Sequence, residues 1–331
     1  MITIAINGFG RIGRRVFRLA LSHPQIQVVA INDLADTKTL SHLLKYDSIH
    51  GVLKDFVSND ENHIIVNDVA IPLYNKTHPK DIDWYKVKPD FVIESTGKFK
   101  TKLELQNHIT NGAERVILSV PALEDDIKTI VLGVNDDIID GTETIISNAS
   151  CTTNNAAPMI SLIKVHLGIK QAYITTIHSY TTDQSLHDQP HKDLRRARAA
   201  GQSIVPTTTG AAKALTKIFP DLSDVIGGCG IRVPVANGSL TDITINVEKT
   251  TSIKKVNEIF KNAADNNLKG VLEYTEDPIV SIDIVGNPHS CIFDSQMTSV
   301  IGNMVKIVGW YDNETGYSSR ILDLICNLSE K

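Results

Sequence analysis

The first twenty residues constrain the fold more than any other stretch. Ile2-Thr3-Ile4-Ala5-Ile6 is a short β-branched run; Asn7-Gly8-Phe9-Gly10-Arg11-Ile12-Gly13-Arg14-Arg15 follows it, and Val16, Leu19 and Ala20 then share one helical face. The order is strand, glycine turn, helix. Gly8, Gly10 and Gly13 keep the G-x-G-x-x-G spacing, which allows a tight turn, close approach of backbone to a pyrophosphate, and close packing of helix on strand. Val28-Val29-Ala30-Ile31 reads as a second strand and ends in Asn32-Asp33, about twenty residues beyond Gly13, where an acidic ribose ligand stands in such folds. A carboxylate accepts from both ribose hydroxyls and repels a 2′-phosphate, so Asp33 predicts NAD over NADP.

Further strands are expected at Phe91-Val92-Ile93, Val116-Ile117-Leu118 and Thr129-Ile130-Val131-Leu132. Strand and helix alternate, which predicts a doubly wound, Rossmann-type parallel sheet. Thr96-Gly97 and Ser119 each follow one of these strands, at the carboxyl edge where ligands bind.

Beyond residue 150 the pattern changes to longer strands between polar loops, at 171–178, 226–235, 240–247, 279–284 and 305–311, and predicts an α+β unit with a mainly antiparallel sheet. Leu240, Ile243, Ile245 and Val247 nearly alternate. Ser252 is placed to cap a helix whose Ile253, Val256, Ile259, Phe260 and Ala263 form one apolar stripe. A chain of 331 residues is long for one core, and two domains are expected. Residues 1–150 form the first and 151–313 the second, with a C-terminal helix, about 314–331, returning to the first. The polar stretch 179–206 is long enough to imply a function or a partner.

Bulk composition excludes several classes. The net charge of −5 carries no excess of positive charge for nucleic acid, and the short basic cluster at Lys192, Arg195, Arg196 and Arg198 lacks interleaved aromatics. No apolar run is long enough for a bilayer, and the chain enters a strand without a leader-like segment; a cytoplasmic protein is expected. The four cysteines, at 151, 229, 291 and 326, form no CxxC pair and no metal spacing, so neither a disulfide framework nor a metal site is predicted.

Ser147-Asn148-Ala149-Ser150-Cys151-Thr152-Thr153-Asn154 lies between the strand-like Thr144-Ile145-Ile146 and a helical repeat of Ala156, Met159, Ile160, Ile163 and Leu167. Cys151 therefore opens a helix, where unpaired N–H groups and the positive dipole end favour a thiolate and an oxyanion. A base is needed, and His178 ends the run Ala172-Tyr173-Ile174-Thr175-Thr176-Ile177. A thiol beside a nicotinamide narrows the chemistry to aldehyde oxidation through a hemithioacetal and a thioester, which phosphate can capture. His178 is expected to keep Cys151 as thiolate and accept the hydroxyl proton.

Asn7 to Arg14, Ser147 to Asn154, His178-Ser179-Tyr180-Thr181, Pro190 to Arg198, Pro206 to Lys213 and Trp310-Tyr311-Asp312-Asn313-Glu314 together resemble the phosphorylating glyceraldehyde-3-phosphate dehydrogenases, end to end. The resemblance implies D-glyceraldehyde 3-phosphate and inorganic phosphate as substrates, 1,3-bisphosphoglycerate as product, NAD as cofactor and a homotetramer in which the 179–206 loop reaches a neighbouring subunit. It implies Cys151 as nucleophile with His178 as its partner, Thr181 and Arg232 on the substrate phosphate, Arg196 as a further phosphate-contacting arginine, and Ser150, Thr152, Thr209 and Gly210 around the attacking phosphate. Gly8, Gly10, Arg11, Ile12, Gly13, Asp33, Thr96, Ser119 and Asn313 match cofactor contacts, Asn313 orienting the nicotinamide amide. Three positions depart from the pattern: Asn155 replaces a second cysteine, Thr315 replaces a tryptophan, and Gln189 stands before Pro190 where leucine is common. The alternatives are an erythrose-4-phosphate dehydrogenase, against which Ser179-Tyr180-Thr181 argues, and a dinucleotide-responsive regulator with a secondary RNA-binding role.

Overall fold

A computed structural model describes all residues from Met1 to Lys331. Two compact units result: Met1–Ile130, Asp136–Ala149 and Ser318–Lys331 form one, and Val131–Asn135 with Ser150–Tyr317 form the other.

The first unit is built on a nine-stranded sheet. Its order is Lys128–Thr129, Ile145–Ser147, Arg115–Leu118, Phe91–Glu94, Ile2–Asn7, Ile26–Asn32, Val69–Tyr74, His63–Val66 and Val57–Asn59. Pairing is parallel as far as Val69–Tyr74. The last two strands are antiparallel, an addition that strand–helix alternation does not predict. Its turn chemistry is nevertheless in the sequence: Asn67 and Asp68 both take positive φ, 48° and 67°, as a two-residue hairpin turn requires. The strand expected at 129–132 is shorter, ending at Thr129, and the chain turns where Val134 N donates to Val131 O. Central strands buried on both faces are mostly apolar, Phe91-Val92-Ile93 being followed by one buried carboxylate, Glu94. Ala5, Ala30, Trp84, Val92, Leu105 and Val116 belong to one core cluster beneath them.

Two glycines set the geometry of the first turn. Gly8 has φ +94°, and a Cβ there would sit 2.7 Å from Thr96 N; a Cβ on Gly13 would sit 2.2 Å from Gly8 O. The helix Arg11–Ala20 thus packs backbone-close onto the turn.

The second unit holds an eight-stranded sheet. Its order is Val205–Thr207, Ile226–Val233, Ile169–Ser179, Ser239–Val247, Met304–Tyr311, Cys291–Asp294 and Leu272–Thr275, with Ser299–Ile301 beside Met304–Tyr311. It is mainly antiparallel; Ile169–Ser179 with Ile226–Val233, and Leu272–Thr275 with Cys291–Asp294, are the parallel pairs. Along Ser239–Val247 every second residue from Ser239 is buried, so Leu240 lies on the other face from Ile243, Ile245 and Val247. Helices Cys151–Leu167 and Ile253–Asp265 contact the sheet strands. Ser252 caps the latter by accepting from Lys255 N; Val256, Ile259, Phe260 and Ala263 are buried, Phe260 stacking on Phe293 at 3.8 Å, whereas Ile253 stays exposed.

Residues 279–284 form turns, not the expected strand. Asp283 Oδ2 accepts from Val280 N at 2.7 Å, and Val280 and Ile282 are exposed; alternation here has no partner strand to pair with. Between the strands Ile169–Ser179 and Val205–Thr207, residues 180–204 form a loop bonded to itself, through Gln189 N to Ala197 O and Ala200 N to Ser185 O, each 3.0 Å. The C-terminal helix runs Thr315–Ser329, and its far end is tied into the first unit by Arg115 Nη1 donating to Leu328 O at 2.6 Å.

Candidate active site

Cys151 is the first residue of the helix Cys151–Leu167. Ser150 is its N-cap, the hydroxyl accepting from Thr153 N at 3.1 Å and exchanging a bond with Thr153 Oγ1 at 2.7 Å. Ala149 before it has φ 55°, a left-handed conformation that costs a non-glycine residue on the order of 1–2 kcal/mol and sharpens the turn delivering the cysteine. Thr152 is buried, its hydroxyl 2.9 Å from Tyr311 Oη, which is also 2.9 Å from Thr176 Oγ1. The Ser150 and Thr152 side chains are thus structural caps and ties, and at Thr152 the backbone N–H is the group left to face an anion.

The sheet places His178. His178 and Arg232 are register partners in the parallel strands Ile169–Ser179 and Ile226–Val233, and side chains opposite one another share a face. His178 Nε2 lies 3.5 Å from Cys151 Sγ. On the other side of the ring Nδ1 is 2.7 Å from Ser179 O and 2.6 Å from Arg232 Nη1, which itself donates to Ser179 O at 2.9 Å. Nδ1 thus lies between a carbonyl that only accepts and a guanidinium that only donates; in the tautomer with the proton on Nδ1, the Nε2 lone pair faces the sulfur. Tyr311 meets the imidazole edge-on at 5.9 Å.

Electrostatics differ from the expected thiolate–imidazolium pair. Burial, then the Arg232 charge, push His178 down to about 3, against the weaker opposite pull of the Ser179 carbonyl. Burial raises the Cys151 thiol; Arg232, the Thr152 hydroxyl and the N–H groups of Thr152 and Cys151 oppose this without reversing it. Burial disfavours the charged form of both partners; the Arg232 cation behind the imidazole adds to this for His178 and opposes it for the thiol.

The predicted phosphate residues divide. Arg232 is mostly enclosed beside the pair. Arg196 is held by an ion pair with Asp183, a longer one with Asp193 at 3.6 Å, and a bond from Nε to Thr207 Oγ1 at 3.0 Å; its charge still reaches His178 and Arg232. Thr181 N donates to Gln184 Oε1 at 3.4 Å. Thr209 Oγ1 accepts from Ala211 N at 3.2 Å, the first N–H of the helix Ala211–Ile218, and the exposed Gly210 stands at that helix's N-cap position. Asn313 is buried, its Oδ1 accepting from Ser179 Oγ at 2.8 Å and Ser239 Oγ at 3.0 Å, which leaves Nδ2 as the donor. Sequence reasoning misses Tyr311, Ser239 and Asp183, since only pairing across the sheet and the loop's own fold bring them here. Of the departures, Asn155 is fully buried and donates to Ser290 O and Trp310 O, and Thr315 N bonds Asp312 Oδ1 at the start of the last helix.

In the first unit, Asp33 stands just past the strand Ile26–Asn32. Its Oδ2 accepts from Phe9 N at 2.7 Å and its Oδ1 from Ala35 N at 3.1 Å, so the carboxylate is anchored to the glycine turn. No side chain caps the helix beginning at Arg11, and a Cβ on Gly10 would meet nothing within 4 Å. Open space before an uncapped helix N-terminus suits a pyrophosphate, and these residues fit NAD. Arg11 is paired through both guanidinium nitrogens with Asp47, at 2.7 and 3.1 Å; Ile12 and Gly13 follow on the same helix. Ser119 N donates to Glu94 O at 3.0 Å, and Thr96 bonds the Glu94 carboxylate through both N and Oγ1.

Comparison with known proteins places this geometry in a lineage. Residues 2–102 match the family model described as glyceraldehyde 3-phosphate dehydrogenase, NAD binding domain, and residues 150–313 match the glyceraldehyde 3-phosphate dehydrogenase C-terminal domain. Among similar proteins, glyceraldehyde-3-phosphate dehydrogenase 2 of Streptomyces avermitilis is 52% identical over 98% of this chain and 97% of its own length. Glyceraldehyde-3-phosphate dehydrogenase of Geobacillus stearothermophilus is 49% identical over 100% and 99%, and glyceraldehyde-3-phosphate dehydrogenase 1 of Bacillus cereus 48% over 100% and 99%. A helix start that sets Cys151 Sγ 3.5 Å from His178 Nε2, a glycine turn on the first strand, and likeness along the whole chain converge on one conclusion: the chain belongs to the glyceraldehyde-3-phosphate dehydrogenase family.

Proposed function

We propose that this chain is an NAD-dependent dehydrogenase that oxidises D-glyceraldehyde 3-phosphate and captures the product with inorganic phosphate as 1,3-bisphosphoglycerate. The observation that carries the reading is the 3.5 Å approach of Cys151 Sγ to His178 Nε2 at the N-terminus of the helix Cys151–Leu167. As Sγ attacks the aldehyde carbon, its proton passes to Nε2, and the new oxyanion meets the N–H groups of the first helical turn. NAD supplies the acceptor for the hydride that leaves the hemithioacetal carbon. The imidazolium returns its proton to the oxygen to complete the hemithioacetal, and His178 takes that proton again as the hydride leaves, so Cys151 is left as a thioester. Inorganic phosphate then attacks the acyl carbon and the thiolate departs, which regenerates the nucleophile.

Arg232 holds the substrate's phosphate in this reading, because a guanidinium beside the base can bind an anion in charge-assisted geometry while the aldehyde reaches the sulfur. Arg196 and Thr181 assist from the loop, and Thr209, Gly210 and the N–H of Thr152 receive the attacking phosphate. In the first unit Gly8, Gly10 and Gly13 shape the cradle, Asp33 reads the ribose, and Arg11, Ile12, Thr96 and Ser119 line it; Asn313 offers Nδ2 to the nicotinamide amide.

We also propose a cytoplasmic homotetramer. No helix is long and apolar enough to cross a membrane, and Leu186, Leu194 and Ile204 of the loop are exposed, as apolar residues awaiting a neighbouring subunit would be. Light scattering on the purified protein checks the mass; a monomer would remove this part alone. The activity is tested by following NADH formation from glyceraldehyde 3-phosphate with and without inorganic phosphate, with erythrose 4-phosphate as the rival aldehyde. Phosphate-independent oxidation, or faster turnover of the four-carbon sugar, would overturn the assignment.

A further inference from the structure

A chain of buried side chains crosses the strand ends of the first unit and meets at one carboxylate. Lys76 N donates to Asn32 Oδ1 at 2.9 Å. Asn32 Nδ2 donates to Asn7 Oδ1 at 2.7 Å, and Asn7 Nδ2 donates to Glu94 Oε2. His108 Nε2 stands 3.2 Å from the same oxygen, while Trp84 Nε1 donates to His108 Nδ1 at 2.9 Å. The other oxygen, Oε1, accepts from Thr96 N at 2.9 Å and from the Thr96 hydroxyl. Glu94, His108 and Trp84 are 0% exposed, so water cannot stand in for a lost partner.

The protonation pattern follows from the partners. Trp84 donates only, so His108 Nδ1 is the acceptor and Nε2 carries the proton. Asn7 uses its oxygen for Asn32 and therefore presents N–H to Glu94. Together with Thr96 N, three of the four groups facing Glu94 can only donate, and an ionised, acceptor-only carboxylate is the form that satisfies them. A buried anion is costly to keep and is seldom the most stable solution for a core. What this one holds in place is Thr96, whose backbone N would lie 2.7 Å from a Cβ on Gly8. Between them Ser95 Oγ donates to Gly8 O at 2.6 Å. The carboxylate thus clamps the segment against which the glycine turn is moulded.

We propose that Glu94 is a positioning residue for the dinucleotide, holding Thr96 and the Gly8 turn in binding geometry before the ligand arrives. The proposal rests on the glycine turn being the NAD cradle. A preorganised cradle spends no binding energy on ordering itself, so loss of the clamp shows in affinity and not in chemistry.

Glu94→Gln sets an amide N–H₂ against groups that can only donate. Calorimetric titration with NAD should give a Kd raised about 10- to 100-fold, the equivalent of one or two buried charge-assisted bonds. KM for NAD should rise with it, kcat should stay within about threefold, and the alkylation rate of Cys151 in the second unit should not change. Trp84→Phe is the control: it cuts the chain at its far end, lowers Tm, and should leave the Kd within about twofold. A Kd in Glu94→Gln as tight as that of the parent, or an equal loosening in both variants, would overturn the proposal. Should Glu94→Gln not fold, Asn7→Ser removes one donor without touching the charge and should loosen NAD by about 3- to 10-fold, an unchanged Kd counting against the proposal. Failure of phosphate-dependent turnover in the parent protein would strike the catalytic reading and leave this binding result standing.

Discussion

Arg232 Nη1 lies 2.6 Å from His178 Nδ1, on the side of the imidazole opposite Cys151. That position joins two functions. The same guanidinium that would hold a substrate phosphate opposes protonation of the base, so the resting imidazole is ready to receive a proton and not to give one. Replacing Arg232 by Gln should raise the His178 pKa toward the ordinary histidine value and raise KM for the aldehyde by about 10- to 100-fold. NMR titration of the imidazole C–H signals and steady-state kinetics read the two effects; an unmoved titration means that Arg232 does not face the ring in solution.

Cys151→Ser should abolish dehydrogenase turnover while NAD binding stays near the parent value, since a serine alkoxide is far harder to form near neutral pH. Turnover above about one per cent of the parent would rule out Cys151 as the covalent nucleophile. NAD affinity measured by calorimetry separates loss of chemistry from loss of fold.

His178→Asn should slow alkylation of Cys151 near neutral pH and reduce kcat by roughly 10² to 10⁴, as loss of a general base does. Both effects should appear together, because Nε2 is the acceptor nearest the sulfur. An iodoacetamide rate equal to the parent's would leave His178 without a part in activating the thiol.

Stability should carry the mark of the same histidine. Its folded pKa is depressed to about 3, so between the ordinary histidine value and about pH 3 the unfolded chain binds a proton that the folded one refuses. The stabilisation is present at neutral pH, is lost progressively as pH falls through that window, and levels off below it. The slope from one such group reaches about 1.4 kcal/mol per pH unit. Thermal unfolding between pH 7 and 4 should therefore show a shallower decline in His178→Asn; parallel curves for the two proteins would refute it.

Asp33→Ala should narrow the preference for NAD over NADP, since it removes a carboxylate held by Phe9 N and Ala35 N at the edge of the cradle. The measurement is the ratio of catalytic efficiencies with the two cofactors in both proteins, alongside their Tm values. Gln189 is neutral and should not outweigh a charge. An unaltered ratio would mean that another group reads the ribose.

What the sequence by itself determined is local chemistry. The glycine spacing at Gly8, Gly10 and Gly13, the acidic residue after the second strand, and the Ser150 cap before Cys151 are all read within a few residues, because turns and caps are decided by short-range sterics and hydrogen bonds. The same locality explains the failures. Alternation at 279–284 promised a strand, but a strand needs a partner edge, and the Asp283 carboxylate offered Val280 N a turn instead. Only the tertiary structure brought His178 beside Arg232, 54 residues away, fastened Tyr311 to both Thr152 and Thr176, and gathered Asn7 and His108 around the Glu94 carboxylate. Strand register is set by long-range packing, and desolvation exists only once the chain is folded. The sequence could single out Cys151 and His178; the directions in which their pKa values move come first from burial and then from the Arg232 charge that the fold placed behind the imidazole.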